Sequence, residues 1–126
     1  VPSPGDDAIE NIDALNAENA SATALARAGY RIEQNPAAAN GSRKRPDYKI
    51  EGQYFDNYAP TNDKARNIWF VVKGKVESEQ ARRIVLNLDK SRVDMAMLAK
   101  QFADWPITEL EQVLVVRGSA VSQLYP

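Results

Sequence analysis

The chain has no cysteine and no histidine among its 126 residues. Without cysteine there are no disulfides and no thiolate metal sites, and the redox compartment stays open, which suits a domain that works in more than one. Without histidine the exclusion is sharper. Ser-His-Asp hydrolysis, imidazole-based ribonuclease chemistry, HNH-type nucleases and His-ligated zinc are all ruled out. Carboxylate, lysine, tyrosine and hard-metal chemistry remain.

Long apolar runs are also missing. None approaches the roughly 18 to 20 residues that cross a bilayer, so no stable membrane insertion is expected. The start, Val1-Pro-Ser-Pro-Gly-Asp-Asp7, lacks the basic and apolar regions of a signal peptide, so transport across a membrane would depend on something else. A net charge of -1 gives no global attraction to nucleic acid, and any such contact must come from a local patch. With 44% hydrophobic and 26% charged residues, the composition is that of one ordinary globular domain.

The pattern along the chain predicts an alternation of elements. Residues 1–15 read as a linker or the end of a preceding segment, and residues 16–126 as the domain proper. Ile9, Ile12, Leu15, Ala22 and Leu25 recur at helical spacing, with a break near Asn16 and Gly29 as the C-terminal cap. Tyr30 to Glu33 alternates like a short strand. Asp47 to Glu51 and Gln53 to Tyr58 alternate at period two around Gly52 and predict a tight hairpin.

Thr61 to Asp63 offers caps for a helix over 65–80, where Ile68, Val72 and Val76 outweigh the strand propensity of Trp69-Phe-Val-Val72 and the cost of Gly74. Arg83 to Leu88 reads as a buried strand, Val93 to Phe102 as a helix, and Gln112 to Val116 and Ala120 to Leu124 as two strands. The order is helix, three strands, helix, strand, helix, two strands. The expected class is α/β, a mixed central sheet flanked by helices.

Chemistry-bearing residues concentrate between Arg45 and Lys75. Asp47 follows Pro46 and in isolation need only start a strand. Asp56 lies mid-strand against propensity, with Tyr54, Asp56 and Tyr58 on one face and Phe55 and Asn57 on the other. If Phe55 faces the core, the plain reading of Asp56 is a solvent-exposed residue. Glu18 lies on the packing face of the first helix, where a carboxylate needs a partner or must snorkel to water. Lys73 and Lys75 ride on the second helix, with Lys75 on the side of Ile68 and Val72. Arg43, Lys44, Arg45 and Lys49 form a basic run into the hairpin that could follow a phosphate backbone, as could Arg82 and Arg83, although such runs are often plain solvated loop. Two carboxylates on adjacent strands can share one hard cation.

Arg45-Pro-Asp-Tyr-Lys-Ile-Glu-Gly52, Tyr54-Phe-Asp-Asn-Tyr-Ala-Pro60, Asn67-Ile-Trp69, Lys75-Val76, Gln80, Arg83-Ile-Val-Leu-Asn-Leu88 and Phe102-Ala-Asp-Trp-Pro-Ile107 together resemble a known family. It is that of the C-terminal toxin nuclease domains of bacterial contact-dependent growth-inhibition proteins, of the branch that cleaves transfer RNA. The resemblance covers about Asn16 to Pro126. It implies a restriction-endonuclease-like, PD-(D/E)xK core and a divalent-metal-dependent endonuclease, with Mg2+ as the expected ion. It implies catalytic roles for Glu18, Asp47, Asp56 and Lys75, with Glu18, Asp47 and Asp56 also as metal ligands. Arg43, Lys44, Arg45, Lys49 and Lys73 would bind nucleic acid.

A (D/E)xK tripeptide would put the lysine on the acidic strand, but here Asn57 and Tyr58 follow Asp56. A lysine supplied by the next helix departs from that pattern and leaves Lys73 as the alternative to Lys75. The resemblance further implies a tRNA substrate, a tightly bound immunity protein, and a domain at the C-terminal end of a large secreted or cell-surface protein that acts in the cytoplasm of a target cell. A DNase of the same fold and a noncatalytic protein-binding module are the competing readings. The absence of a glycine-rich phosphate loop or cofactor motif leaves little support for a small-molecule enzyme.

Overall fold

The computed structural model describes residues 4–34, 47–78 and 81–126. Nine elements follow the predicted order: α1 (Pro4–Arg27), β1 (Ile32–Gln34), β2 (Tyr48–Ile50), β3 (Gln53–Tyr58), α2 (Ala65–Glu77), β4 (Arg83–Asn87), α3 (Met95–Asp104), β5 (Gln112–Arg117) and β6 (Ala120–Tyr125). The strands form one sheet in sequence order. β2 runs antiparallel to its neighbours β1 and β3; β3, β4 and β5 run parallel, and β6 returns antiparallel to β5. The mixed α/β sandwich expected from the alternation is therefore the fold.

Two apolar cores lie on opposite faces of this sheet. Ala24 and Leu25 of α1 pack with Tyr48, Ile50, Phe55, Val85, Leu114 and Val116 on one side. Ile68, Val72 and Val76 of α2 and Leu98 and Phe102 of α3 pack with Ile84, Leu86, Val113 and Val115 on the other. β4 and β5 are thus buried on both faces, which is why they read as unbroken apolar runs. The two parallel crossovers, β3-α2-β4 and β4-α3-β5, advance in the same direction across the sheet, so crossovers of one hand put both helices on the same face.

α1 runs uninterrupted through Asn16, where the sequence suggested a break. Leu15, expected in its buried stripe, is 50% exposed. The stripe turned to the sheet centres on Ser21, Ala24 and Leu25, and six residues of helix carry Leu15 about 120° around from Ser21. The helix ends as predicted. Gly29 takes a left-handed φ of 99°, the Tyr30 amide donates to the Leu25 carbonyl and the Gly29 amide to Ala26, both at 3.1 Å. This double bond pattern is a Schellman cap.

The β2–β3 hairpin turns on Glu51 and Gly52, both with positive φ, as two-residue hairpins require. Glu51 tolerates the strain because its carboxylate accepts the Arg31 amide at 2.8 Å and its own amide donates to the Arg31 carbonyl at 2.9 Å.

α2 forms despite its β-prone segment because Ile68, Val72 and Val76 fall on one buried line. The expected caps do other work: Asn62 accepts the Lys64 amide and Asp63 the Arg92 amide, each at 2.8 Å, and no side chain caps α2. α3 starts two residues later than predicted, since Asp94 caps it by accepting the Met97 amide at 2.9 Å, leaving Val93 buried just ahead of the helix. Among the described residues, no helix is long and apolar enough to cross a membrane.

Two glycines give opposite expectations. Gly29→Ala should lower the unfolding free energy by about 1–2 kcal/mol, because an L side chain is strained at that φ. Gly74 is exposed within α2, and a Cβ there meets nothing within 4 Å. Gly74→Ala should therefore raise stability by about 1 kcal/mol. Urea denaturation of the two variants beside the parent checks both signs.

Candidate active site

β3 changes partners at Asp56. Its first half pairs with β2, from Gln53↔Ile50 to Phe55↔Tyr48, and its second half pairs with β4, beginning at Asp56↔Ile84. β2 ends one residue short of the exchange, so backbone donors on that side of β3 lose their ladder partners and need others. Asp47, just before β2, supplies one. Its Oδ2 accepts the Asn57 amide at 2.8 Å, and the Asp47 amide donates to Asp56 Oδ1 at 3.3 Å. The two aspartates predicted to act together are therefore interlocked across a fork in the sheet. Phe55 does face the α1 core, yet Asp56 is half-buried at the fork rather than solvent-exposed.

α1 brings the third carboxylate. The Tyr48 hydroxyl donates to the Glu18 carbonyl at 2.6 Å, fixing the helix over β2. Burial pushes the Tyr48 hydroxyl pKa up, so it stays a donor. Below Glu18, Ser21 donates from Oγ to Asn57 Oδ1 at 2.8 Å and accepts Asn87 Nδ2 at 2.9 Å. The fully buried Ser21 and nearly buried Asn87 thus tie α1 to both strands that meet at the fork. Asn57 is the hub, its side chain held by α1 and its amide by Asp47.

Glu18 Oε1 is buried without a hydrogen-bond partner among the described residues. Its pKa is raised, first by burial and then by the negative charge of Asp47, with Asp56 adding a smaller push and the Gln34 side chain pulling the other way. The electrostatic coupling places all three acids within reach of one another's fields.

The lysines separate. Lys75 extends from α2 over the ring of Tyr58, its Nζ 5.6 Å from the centroid, and Tyr58 shares the strand face of Asp56. Lys73 turns away and pairs with Glu77 at 3.0 Å. Lys49 lies over the Tyr54 ring at 5.7 Å, on the same face of the hairpin. Arg82 and Arg83 are engaged with Glu109 and Glu111, Arg83 at 2.5 Å from Glu111. Arg43, Lys44, Arg45 and Gln80 lie outside the described residues. The sequence reading missed Ser21, Asn57 and Asn87. An asparagine inside the apolar run Arg83–Leu88 was the available signal, since a buried amide requires partners.

The donors at the fork are hard carboxylate oxygens, and one of them, Glu18 Oε1, is buried with no partner among the described residues. Among the described residues, no three acids are gathered tightly enough to cage an ion alone. Hard carboxylate oxygens are the donors that a hard divalent cation takes.

An acidic fork at a strand exchange, overlooked by a helix-borne lysine, in a three-layer α/β sandwich defines the class of domain. Residues 44–120 match the model of the contact-dependent growth inhibition CdiA C-terminal domain, and the chain belongs to that family. It is 44% identical over 99 residues, 79% of its length, to tRNA nuclease CdiA-2 of Burkholderia pseudomallei strain 1026b, and spans 3% of that relative's length. It also matches a chain of the CdiA-CT/CdiI toxin and immunity complex from Burkholderia pseudomallei with a TM-score of 0.88 and 38% identity, covering 100% of this chain and 93% of the other.

Two outcomes test the geometry. Ser21→Ala removes the hydroxyl that joins Asn57 Oδ1 to Asn87 Nδ2, leaves Asn87 Nδ2 with only its 3.3 Å bond to the Ala17 carbonyl, and should cost about 1–3 kcal/mol in chemical denaturation. For Glu18 the sign follows from its raised pKa: the folded state holds the proton more tightly, so the carboxylate penalises folding at neutral pH and not below its unfolded value near 4.5. In metal-free buffer Glu18→Gln should therefore be more stable than the parent at neutral pH, with the difference vanishing as the pH falls below that value.

Proposed function

We propose that this chain is a metal-dependent endoribonuclease toxin domain that cuts tRNA in the cytoplasm of target bacteria and is neutralised by a cognate immunity protein. The observation that carries this reading is the interlock of Asp47 and Asp56 at the fork, with Lys75 over Tyr58 two residues along the same strand face, in a chain 44% identical to a tRNA nuclease. The site is a variant of the PD-(D/E)xK, restriction-endonuclease-like arrangement in which α2 supplies the lysine. As in the relative of which it spans 3%, the domain would be carried by a far longer protein, one that is secreted or lies on the cell surface.

Asp47 and Asp56 would hold Mg2+, with Glu18 completing or ordering its surroundings. When bound, the ion supplies Lewis-acid polarisation of the scissile phosphate and a more acidic water. Glu18, raised in pKa and facing the fork, accepts a hydrogen bond from the attacking water and orients it. Lys75, its ammonium group over the Tyr58 ring, donates to the phosphoryl oxygens as negative charge grows on them. Lys73, paired with Glu77, has no part in the chemistry and adds only charge along the path of the substrate.

Water as the nucleophile does not require a ribose 2'-hydroxyl, so the choice of RNA rests on the relatives. Recognition of a folded RNA would use shape and phosphate contacts from the basic run Arg43, Lys44, Arg45 and Lys49. The same basic run of sequence favours an acidic immunity partner, in keeping with the toxin and immunity complex in which the structural relative was solved.

The test is a digest of total bacterial RNA by the purified domain with Mg2+ or EDTA. Discrete tRNA cleavage that EDTA and Asp47→Ala or Asp56→Ala abolish is the expected result. Lys75→Met should lose about 10²-fold or more in rate, while Lys73→Met stays within severalfold of the parent. Nicking of plasmid with RNA left intact would make the domain a DNase. Undiminished toxicity of Asp47→Ala and Asp56→Ala would make it a binding module.

A further inference from the structure

We propose that Tyr54, with Lys49 against its ring, is a stacking subsite for one unpaired base of the strand being cut, an inference that rests on the ribonuclease reading. Tyr54, Asp56 and Tyr58 share one face of β3, and a strand rises about 3.3 Å per residue, so Tyr54 stands roughly 7 Å from Asp56. A nucleotide next to the scissile phosphate falls at that reach. Tyr58 is half-buried and packed against the α2/α3 core, whereas Tyr54 is 37% exposed and belongs to neither core cluster.

The ring is also oriented and charged in a way that suits a nucleotide. Lys49 is the register partner of Tyr54 across the hairpin, and its Nζ lies 5.7 Å from the ring centroid. One cation thus steadies the ring and sits where the phosphate of a stacked nucleotide would pass. The same pairing recurs on the far side of Asp56, where Lys75 covers Tyr58 at 5.6 Å. The acid is bracketed by two tyrosine–lysine pairs, of which only the outer leaves its ring open to a ligand. With a net charge of -1 the chain cannot hold RNA by bulk attraction, and stacking supplies affinity that local charge alone does not. A purely structural Tyr54, kept for its strand propensity, would affect stability and leave substrate affinity alone.

The experiment compares the parent domain with Tyr54→Phe, Tyr54→Leu and Tyr54→Ala on an RNA substrate whose cut site has been mapped, and on versions abasic at each position flanking the cut. Tyr54→Ala and Tyr54→Leu should raise KM about tenfold or more with kcat little changed, and Tyr54→Phe should match the parent. One abasic position should raise the parent's KM to a similar degree and leave Tyr54→Ala and Tyr54→Leu unaffected, since the base and the ring act as one contact. Tyr54→Leu keeps apolar bulk on the strand, so the comparison survives if the alanine variant is unstable. An active parent whose KM is unmoved by loss of the ring, or abasic penalties equal in parent and variants, overturns the subsite while leaving the nuclease reading intact. A parent that cuts no RNA overturns the nuclease reading, and the subsite falls with it.

Discussion

The exchange of β3 from β2 to β4 is the constraint on which the rest of the structure depends. A strand that leaves an antiparallel partner and joins a parallel one must strand backbone donors on the side it abandons. Here the Asp47 carboxylate takes up the amide of Asn57 at 2.8 Å. Folding therefore cannot complete the sheet without bringing one aspartate to the fork, and the same register sets Asp56 at the residue where pairing changes hands. Two acids are held close because the backbone needs one of them.

The second consequence is that α1 is not simply a cover for the sheet. Small residues on its buried stripe let it lie close over β3 and β4, and the Ser21, Asn57 and Asn87 bonds fix its position along them. Such a buried polar network is costly unless every member is satisfied, and once satisfied it specifies a single arrangement. Glu18 inherits its place from that arrangement. It is left with a buried oxygen that has no hydrogen-bond partner among the described residues, and with a raised pKa in the field of two aspartates. A carboxylate held there costs stability at neutral pH.

Much of this was legible in the residues. Period-two alternation around Gly52, the helical lines of Ile68, Val72 and Val76, and the apolar runs that become β4 and β5 each report local geometry plus burial. Gly29 reported its own cap. The misjudged positions were those where a distant partner mattered. Leu15 looked like core because helical spacing ignores how wide a stripe the sheet will cover. Thr61 to Asp63 looked like caps, yet Asp63 instead holds the Arg92 amide across the loop that leads to α3.

The sequence by itself determined the order of the elements, the absence of thiol and imidazole chemistry, and the identity of the acids and lysines from which a site could be built. Those properties depend on composition and on contacts within a few residues. Only the tertiary structure decided which candidates meet. On paper Lys75 is preferred with Lys73 as its alternative; two residues turn a helix by about 200°, and the packing of Ile68, Val72 and Val76 aims Lys75 at Tyr58 and leaves Lys73 to Glu77. Asp47 and Asp56 meet across the hairpin that the alternation around Gly52 already predicts, but Glu18 lies far from both along the chain. Its approach is set by the seating of α1, a long-range pairing whose energy comes from the core beneath that helix, and no local pattern records it.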